Sequence, residues 1–381
     1  MSDRIVDLTD AEARAALPMK WGQAPGDVLP AWVAEMDYAL APAITEALTA
    51  AVARGLSGYP DDRPGGELGE AYAGFAKRHF GHEVDPELVI PTVDVTAGVR
   101  IALDVLSEPA PVVLPLPAYP PQIDIVPITG RELWPLPVEP DADYALDLDR
   151  LDRLLARGAR TLLLTQPHNP CGHVFTRAEL EGIRDVAVRH GARVVSDEIH
   201  APLVLPGAEH VPYLSIEGAA DHAVAVVAAS KAFNTPGLRC AQLVTADPAA
   251  HRALADVPNA RNDSWSPLGV TAAIAAYTRG DEWLAALIER LDAQRTLLGE
   301  LLAEHLPLAR MRPLEATYLA WLDLRAYGHA DPAAVALERG RVYVSTGTEY
   351  HPGLPGHVRL NIATSPERLT EAVRRLAEAL R

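Results

Sequence analysis

Three apolar, strand-like segments of this chain each end in a cluster of polar residues. The segment at 223–228 leads into Ser230 and Lys231, and two others precede the runs Gln-Pro-His-Asn-Pro-Cys-Gly at 166–172 and Ser-Asp-Glu-Ile-His at 196–200. In an open α/β sheet, ligands bind at the edge where the carboxyl ends of the parallel strands lie. The pattern therefore predicts an α/β enzyme with a site built from these three strand ends.

Short apolar runs alternate with helical patterns through the middle of the chain, which indicates βαβ units and a mostly parallel sheet. Strands are predicted at 112–116, 161–165, 193–196, 223–228 and 241–245. Thr176 and Glu179 form a capping-box pattern that opens a helix predicted at 177–189. The proline-rich tract 109–121 is expected to cross the surface near the site, because repeated prolines exclude a regular helix.

The last part of the chain has a different pattern. A helix is predicted to begin near Ser266 and Pro267, and an amphipathic stretch covers 281–305. Further strands are predicted at 318–324, 342–345 and 358–362, and a C-terminal helix from about Pro366. We therefore expect a large central α/β domain and a smaller α/β domain built from both chain ends.

The composition is that of an ordinary globular protein, with 49% hydrophobic and 22% charged residues among 381. The net charge of −17 argues against nucleic-acid binding, which requires basic clusters. No apolar run approaches the roughly 20 residues that a membrane helix needs. The N-terminus has no apolar signal-peptide core. We therefore expect a cytoplasmic protein with no membrane or nucleic-acid partner.

The chain has only two cysteines, Cys171 and Cys240, which suits a reducing compartment and predicts free thiols. His168, Cys171 and His173 lie close together in sequence, but no second ligand pair follows at the spacing of a zinc site. We therefore expect no bound metal.

Several longer motifs run nearly from end to end of the chain. They are Lys20-Trp21, the decapeptide LPAWVAEMDY at 29–38, Gly58-Tyr59, the Asn-Pro-x-Gly segment at 169–172, the segment 196–200, Ser-Lys-x-Phe-Asn at 230–234, and Val-Arg-Leu-Asn at 358–361. In this combination the chain resembles the fold-type I pyridoxal-phosphate (PLP) enzymes of the aminotransferase class I/II superfamily. Within it, the chain is most similar to the MalY/PatB group of cystathionine β-lyases, which are carbon–sulfur lyases.

The resemblance implies the fold-type I architecture, PLP as cofactor, and a homodimer acting on a small amino-acid substrate. It suggests an N-terminal segment at 1–45, a large PLP-binding domain at 46–268 and a small domain at 269–381, with the first segment contributing to the small domain.

The resemblance assigns the cofactor ring to five side chains. Lys231 would hold PLP through a Schiff base, Asp197 would keep the pyridine nitrogen protonated, and Asn169 would bind the phenolic oxygen. Tyr119 would stack on the ring, with His200 nearby, and Lys231 and Tyr119 are the predicted catalytic residues. Four of these residues also have a structural alternative. Lys231 could be a strand-end lysine that reaches solvent, Asp197 a strand-end carboxylate that caps the next turn, Asn169 a turn residue before proline, and Tyr119 a packing residue.

The phosphate of PLP would lie at the start of a helix, where backbone N–H groups attract anions. Gly98 and Val99 fit that helix start, and Ser230 and Arg239 match further phosphate ligands. Tyr59 matches a tyrosine that reaches the phosphate from the neighbouring subunit.

The α-carboxylate of the substrate would be bound by Arg359 through a bidentate fork, with the backbone around Ala34 completing the site. Some positions depart from the wider pattern. His200 replaces the tyrosine of typical aminotransferases and fits the MalY group, whereas Arg239 is more typical of aminotransferases. Ala228 stands where many relatives have a serine, and Glu35 where the group has aspartate.

The resemblance favours PLP-dependent β-elimination from L-cystathionine or a related L-cysteine S-conjugate, giving a thiol, pyruvate and ammonia. An aminotransferase is the alternative, since the same groups would serve transamination. A specialised PLP enzyme of secondary metabolism and a regulatory binding protein also stay open. The sequence does not identify the leaving group.

Overall fold

The computed structural model describes residues 4–61, 64–138, 145–262 and 265–381. Its helices are Asp10–Ala16 (α1), Pro42–Ala53 (α2), Gly66–Phe80 (α3), Val95–Leu106 (α4), Pro120–Ile128 (α5), Leu148–Ala156 (α6), Arg177–His190 (α7), Pro248–Ala255 (α8), Pro267–Arg279 (α9), Asp281–His305 (α10), Pro332–Glu338 (α11) and Pro366–Leu380 (α12). Its strands are Leu29–Pro30 (β1), Val89–Thr92 (β2), Val112–Leu116 (β3), Leu133–Pro137 (β4), Thr161–Thr165 (β5), Arg193–Asp197 (β6), Ala223–Val227 (β7), Ala241–Val244 (β8), Leu319–Asp323 (β9), Val342–Tyr343 (β10), Ser345–Thr346 (β11) and His357–Asn361 (β12).

A seven-stranded, mostly parallel sheet forms the centre of the fold, in the order β2-β8-β7-β6-β5-β3-β4. Only the pairings of β8 with β2 and with β7 are antiparallel. Most residues of its inner strands are apolar and buried because both faces of the sheet are covered, as expected for a parallel sheet. Alternate residues of β5 show this. Leu162 and Leu164 pack in one hydrophobic cluster, and Leu163 packs in a second cluster that also contains apolar residues of α4.

Two smaller sheets lie outside the central one, and one of them joins the two ends of the chain. Strands β11, β12 and β9 form an antiparallel sheet, and β1 pairs in parallel with β10. In that pairing Leu29 lies opposite Val342, which connects the N-terminal segment to the C-terminal part of the chain.

The predicted strands and helices are confirmed in position, with shifts of one or two residues at some ends. The predicted strand 342–345 is two short strands instead, β10 and β11, which belong to different sheets. Ser266 caps α9, and the capping box of Thr176 and Glu179 opens α7.

The prediction that the proline-rich tract 109–121 crosses the surface is wrong. Residues Val112–Leu116 form the buried strand β3, and Pro120 begins α5. Pro115 is tolerated because β3 pairs with β5 only through Val112 and Val113, so the lost backbone N–H breaks no bond to β5. The tract does lead to the candidate site, through Tyr119.

Both cysteines, Cys171 and Cys240, are buried and free. Among the described residues, no helix combines the length and the apolar character that crossing a membrane would require.

Candidate active site

The carboxyl ends of β5, β6 and β7, which are neighbours in the sheet, open into one cavity of about 170 Å³. The three polar clusters of the sequence contribute to its wall, so their predicted convergence is confirmed. The predicted site residues that line it are Ala34, Val99, Tyr119, Asn169, Asp197, His200, Ser230, Lys231, Arg239 and Arg359.

Lys231 projects its amino group into this cavity. Its Nζ donates a hydrogen bond of 2.9 Å to the carbonyl oxygen of Ala34. Burial of the amine lowers the pKa of Lys231 to about 8, and the positive charge of Arg359 acts in the same direction. A lysine with a lowered pKa is a better nucleophile and base at neutral pH than an exposed one.

The chain has only three lysines, and the structure gives each a different setting. Lys20 is buried and forms an ion pair of 2.9 Å with Asp37, and Lys77 is exposed and pairs with Glu83. Lys231 is therefore the one lysine that lines the cavity.

The segment that carries Ala34 is held by side chains from the C-terminal part of the chain. Asn361 Nδ2 donates to the carbonyl oxygens of Val33 and Glu35, each at 2.7 Å, and the Tyr318 hydroxyl donates to the Ala34 carbonyl at 3.1 Å. These bonds fix the backbone that faces Lys231.

Asp197 is a buried carboxylate at the end of β6. Its Oδ1 accepts from the Ile199 backbone N–H at 3.1 Å, and its Oδ2 accepts from Gln122 Nε2 at 2.7 Å. Burial raises the pKa of Asp197 to about 7, and the two hydrogen bonds oppose that rise because they stabilise the charged form. A cation placed beside this carboxylate would be stabilised by it.

Arg359, on β12, faces the cavity from the C-terminal part of the chain. Its Nη1 donates to Asn169 Oδ1 at 3.1 Å and its Nη2 to the Trp32 carbonyl at 2.9 Å. Its Cζ lies 4.9 Å from the centre of the Tyr350 ring. This buried cation fits an anionic ligand such as a carboxylate.

His200 and Tyr119 line the cavity as uncharged groups. Burial lowers the pKa of His200 to about 3, so the imidazole is neutral at neutral pH. Burial also raises the pKa of the Tyr119 hydroxyl above its usual range. Both side chains can therefore contact an aromatic ligand without adding charge.

The N-terminus of α4, including Thr96, forms another wall of the cavity, and Ser230 also lines the cavity. The N-cap residue Asp94 accepts from the Ala97 backbone N–H at 2.7 Å and forms an ion pair with Arg239. The first N–H groups of a helix lack intrahelical partners, so this end of the cavity has the donors that an anion requires.

Two predicted cofactor residues do not line the cavity. The Gly98 N–H donates to the Asp94 carbonyl within α4, and the missing side chain of Gly98 faces the sheet. Tyr59 lines a different cavity of about 1010 Å³ and is 101% exposed in the single chain. The described residues that line the larger cavity include no buried lysine, arginine or aspartate like those that converge on the smaller one.

Sequence reasoning missed Gln122, Thr165 and Asp94, which also line the cavity. Gln122 and Thr165 come from different elements, α5 and β5, and neither is part of a motif. The helix pattern after Thr96 was a signal for Asp94, because aspartate is a common N-cap.

The side chains of this cavity fit PLP. An amine suits its aldehyde, a buried carboxylate suits its pyridine nitrogen, and the N-terminus of α4 suits its phosphate. Among the described residues, His200 Nδ1 and Arg359 Nε are buried polar atoms without a hydrogen-bond partner, so polar groups are available to a ligand.

The fold and the site together have the features of the PLP-dependent aminotransferase class. A family model, aminotransferase class I and II, matches residues 19–376, and the chain belongs to this family.

Within the family, the chain is similar to carbon–sulfur lyases. It is 37% identical to cystathionine beta-lyase of Corynebacterium glutamicum, over 99% of this chain and 100% of that protein. It is 35% identical to cystathionine beta-lyase PatB of Bacillus subtilis (strain 168), over 93% of each chain. Its fold matches cystalysin of Treponema denticola, whose crystal structure contains PLP, with a TM-score of 0.92, 25% identity and 99% coverage of both chains.

Proposed function

We propose that this protein catalyses PLP-dependent β-elimination from L-cystathionine or a related L-cysteine S-conjugate. With water, the reaction gives a thiol, pyruvate and ammonia. The observation that carries the proposal is the convergence of Lys231, Asp197 and Arg359 on one cavity. These groups can anchor the cofactor, hold its ring nitrogen protonated and bind an α-carboxylate.

When bound, PLP supplies an electron sink for the negative charge that develops at Cα of an amino acid. Lys231 would bond to its aldehyde and Asp197 would face its pyridine nitrogen. Asn169 would bind its phenolic oxygen, and Tyr119 and His200 would flank its ring. Ser230, Arg239 and the first turn of α4 would hold its phosphate.

Arg359 orients the substrate. Its guanidinium binds the α-carboxylate, and Asn169 and the Trp32 carbonyl hold the guanidinium in place. The hydrogen bond that Arg359 donates to Asn169 couples the carboxylate site to the cofactor site. Fixing the carboxylate fixes Cα, so the Cα–H bond keeps a constant position relative to Lys231.

Lys231 then moves the proton. Its pKa of about 8 means that a substantial fraction of free Lys231 is a neutral amine at slightly alkaline pH. The amine takes the Cα proton, the electron pair left at Cα forms a double bond between Cα and Cβ, and the bond between Cβ and sulfur breaks as its own electron pair leaves with the thiolate. The resulting ammonium of Lys231 is a proton donor close to the leaving group.

The relatives favour elimination over transamination. Two proteins that cover nearly the whole chain at 35% and 37% identity are named cystathionine beta-lyase. A specific observation favours the aminotransferase alternative. Arg239 lines the cavity, and an arginine at this position is more typical of aminotransferases than of the lyases.

We further propose that the protein acts in the cytoplasm as a homodimer. The full exposure of Tyr59 supports the homodimer, because an aromatic side chain so placed is available to a second subunit. In that arrangement Tyr59 would reach the phosphate site of the partner.

Incubation with cystathionine, with cysteine, or with an amino donor and a keto acid tests the function. Pyruvate, thiol and amino-acid products are measured in each case. We expect pyruvate and thiol in equal amounts from cystathionine, and no such products from the Lys231→Ala variant. Lys77→Ala, at an exposed lysine, is the matched control and should behave as the wild type. Turnover only with the donor and keto acid would replace the lyase with an aminotransferase.

A further inference from the structure

Gln122 connects two strand ends in the wall of the cavity. It lies in the first turn of α5, and its side chain is buried. Its Nε2 donates to Asp197 Oδ2 at 2.7 Å, and its Oε1 accepts from the Thr165 hydroxyl at 2.7 Å. Thr165 and Asp197 are the last residues of β5 and β6 and lie opposite each other in the sheet register.

The direction of these bonds depends on the charge of Asp197. A charged carboxylate only accepts hydrogen bonds, so the amide must turn its NH₂ group toward Asp197. The amide oxygen then faces Thr165, whose hydroxyl can donate to it. The chain of donors from Thr165 through Gln122 to Asp197 therefore suits the charged form of the carboxylate.

The charged groups around Asp197 act in opposite directions, so they do not by themselves determine whether its carboxylate is charged. Glu198, the next residue, disfavours the charge, and Lys231 favours it. His200 and Tyr119, which also line the cavity, are neutral at neutral pH. Burial acts against the charge, and the hydrogen bonds from the Ile199 N–H and the Gln122 amide act in its favour.

We propose that Gln122 is a positioning residue that acts through Asp197: its amide, oriented by Thr165, aims the carboxylate into the cavity and stabilises its negative charge. The inference rests on the proposed PLP function, in which that carboxylate faces the protonated ring nitrogen.

The stability of the cofactor-free full chain provides the first test, by Gln122→Met. The pKa of Asp197 is raised from 3.8 to about 7 in the folded state, so the stability this group contributes is present at low pH and is lost as the pH rises through about 7. Loss of a donor to the charged form should raise this pKa further. The free energy of unfolding of the variant should therefore lie further below that of the wild type at pH 9 than at pH 5.

Gln242→Met is the matched control. Gln242 is also fully buried and hydrogen-bonded, to Tyr277 and Cys240, but it does not line the cavity. It should lose stability by the same amount at both pH values. A pH-independent loss in Gln122→Met, as in the control, would overturn the proposal.

The second test titrates the cofactor-free chain with PLP at a series of pH values. Binding should weaken in acid as Asp197 becomes protonated. We call this fall in PLP affinity toward low pH the acid limb of the titration. In Gln122→Met the acid limb should shift to higher pH by about one unit, the shift expected for one hydrogen bond to a charged group. An acid limb that coincides with that of the wild type would contradict the proposal.

Thr165 separates orientation from simple packing. Thr165→Val removes the hydroxyl and should move the acid limb in the same direction as Gln122→Met. Thr165→Ser keeps the hydroxyl, so its acid limb should lie at the same pH as that of the wild type. Equal behaviour of the two variants would mean that Thr165 does not orient the amide.

The two proposals can fail separately. Absence of pyruvate from cystathionine would contradict the lyase function and leave the pH effects on stability and PLP binding intact. Failure of the wild type to bind PLP would contradict the proposed cofactor, and the stability comparison at pH 5 and pH 9 would still decide the role of Gln122.

Discussion

Lys231 can be identified chemically because the chain has only three lysines. Reduction of the PLP-loaded protein with borohydride, followed by peptide mapping, should place the label on Lys231. The Lys231→Ala variant should bind little cofactor covalently and show almost no turnover, because no other lysine reaches the cavity. A label on Lys20 or Lys77, or no label, would contradict the assignment.

Asp197 should support turnover through its negative charge. Asp197→Asn keeps the size of the side chain and can retain the hydrogen-bonded packing, but an amide cannot hold the pyridine nitrogen protonated by charge attraction. We expect normal folding by circular dichroism and a loss of turnover on the order of 10²–10⁴-fold, the usual range for a proton-transfer contribution. Near-normal turnover would show that Asp197 is not the partner of the ring.

At the residue scale, the sequence identifies side chains that belong to motifs. Lys231, Asp197 and Asn169 each lie at or shortly after the end of a strand, and strand ends at one edge of a parallel sheet must lie close together. Gln122 could not be found in this way, because its partner Asp197 is 75 positions away in the chain and only the sheet order brings the two together.

Helix α4 packs on the central sheet through Gly98. A methyl group at this position would lie 2.6 Å from Val226 Cγ1 and 3.2 Å from Thr92 Cγ2, both buried in the sheet. Gly98→Ala should therefore lower the free energy of unfolding by about 1–3 kcal/mol, as overpacked core substitutions do. Displacement of α4 would also weaken PLP binding, since its N-terminus lines the cavity.

Gly299→Ala is the control for this prediction. Gly299 lies on the exposed side of α10, and a methyl group there meets no atom within 4 Å. Alanine favours a helix over glycine, so stability should rise by roughly 0.5–1 kcal/mol. Denaturant unfolding of both variants checks the pair, and a Gly98→Ala variant as stable as the wild type would contradict the packing account.

At the element scale, patterns with a clear period or cap are predictable. The amphipathic stretch 281–305 is α10, and Ser266 with Pro267 opens α9. The prediction for the proline-rich tract was wrong because a high density of prolines usually indicates a surface loop, whereas β3 is buried by its neighbours in the sheet. The division of 342–345 between two sheets depends on tertiary pairing, which a local pattern does not contain.

At the scale of the whole molecule, the mostly parallel sheet followed from the alternation of strands and helices. The division at residues 45 and 268 stays a proposal. The pairing of β1 with β10 supports its central idea, that both chain ends contribute to one part of the fold.

The active unit should be a homodimer, because Tyr59 is expected to complete the phosphate site of the partner subunit. Analytical sedimentation at the concentration of the activity assay should show a dimer. Activity should fall when the protein is diluted until monomers form. A fully active monomer would contradict this expectation.

The central claim is that the protein eliminates a thiol from the substrate and does not transfer its amino group. An elimination releases the nitrogen as ammonia, so the cofactor returns to its starting form without a second substrate. A transamination leaves the amino group on the cofactor and stops until a keto acid removes it.

The most direct measurement is the number of pyruvate molecules formed per active site from cystathionine, with no keto acid added. We predict many turnovers, with ammonia and thiol formed in equal amounts. If product formation stops at one equivalent per site and resumes when a keto acid is added, the lyase account is wrong and the protein is an aminotransferase.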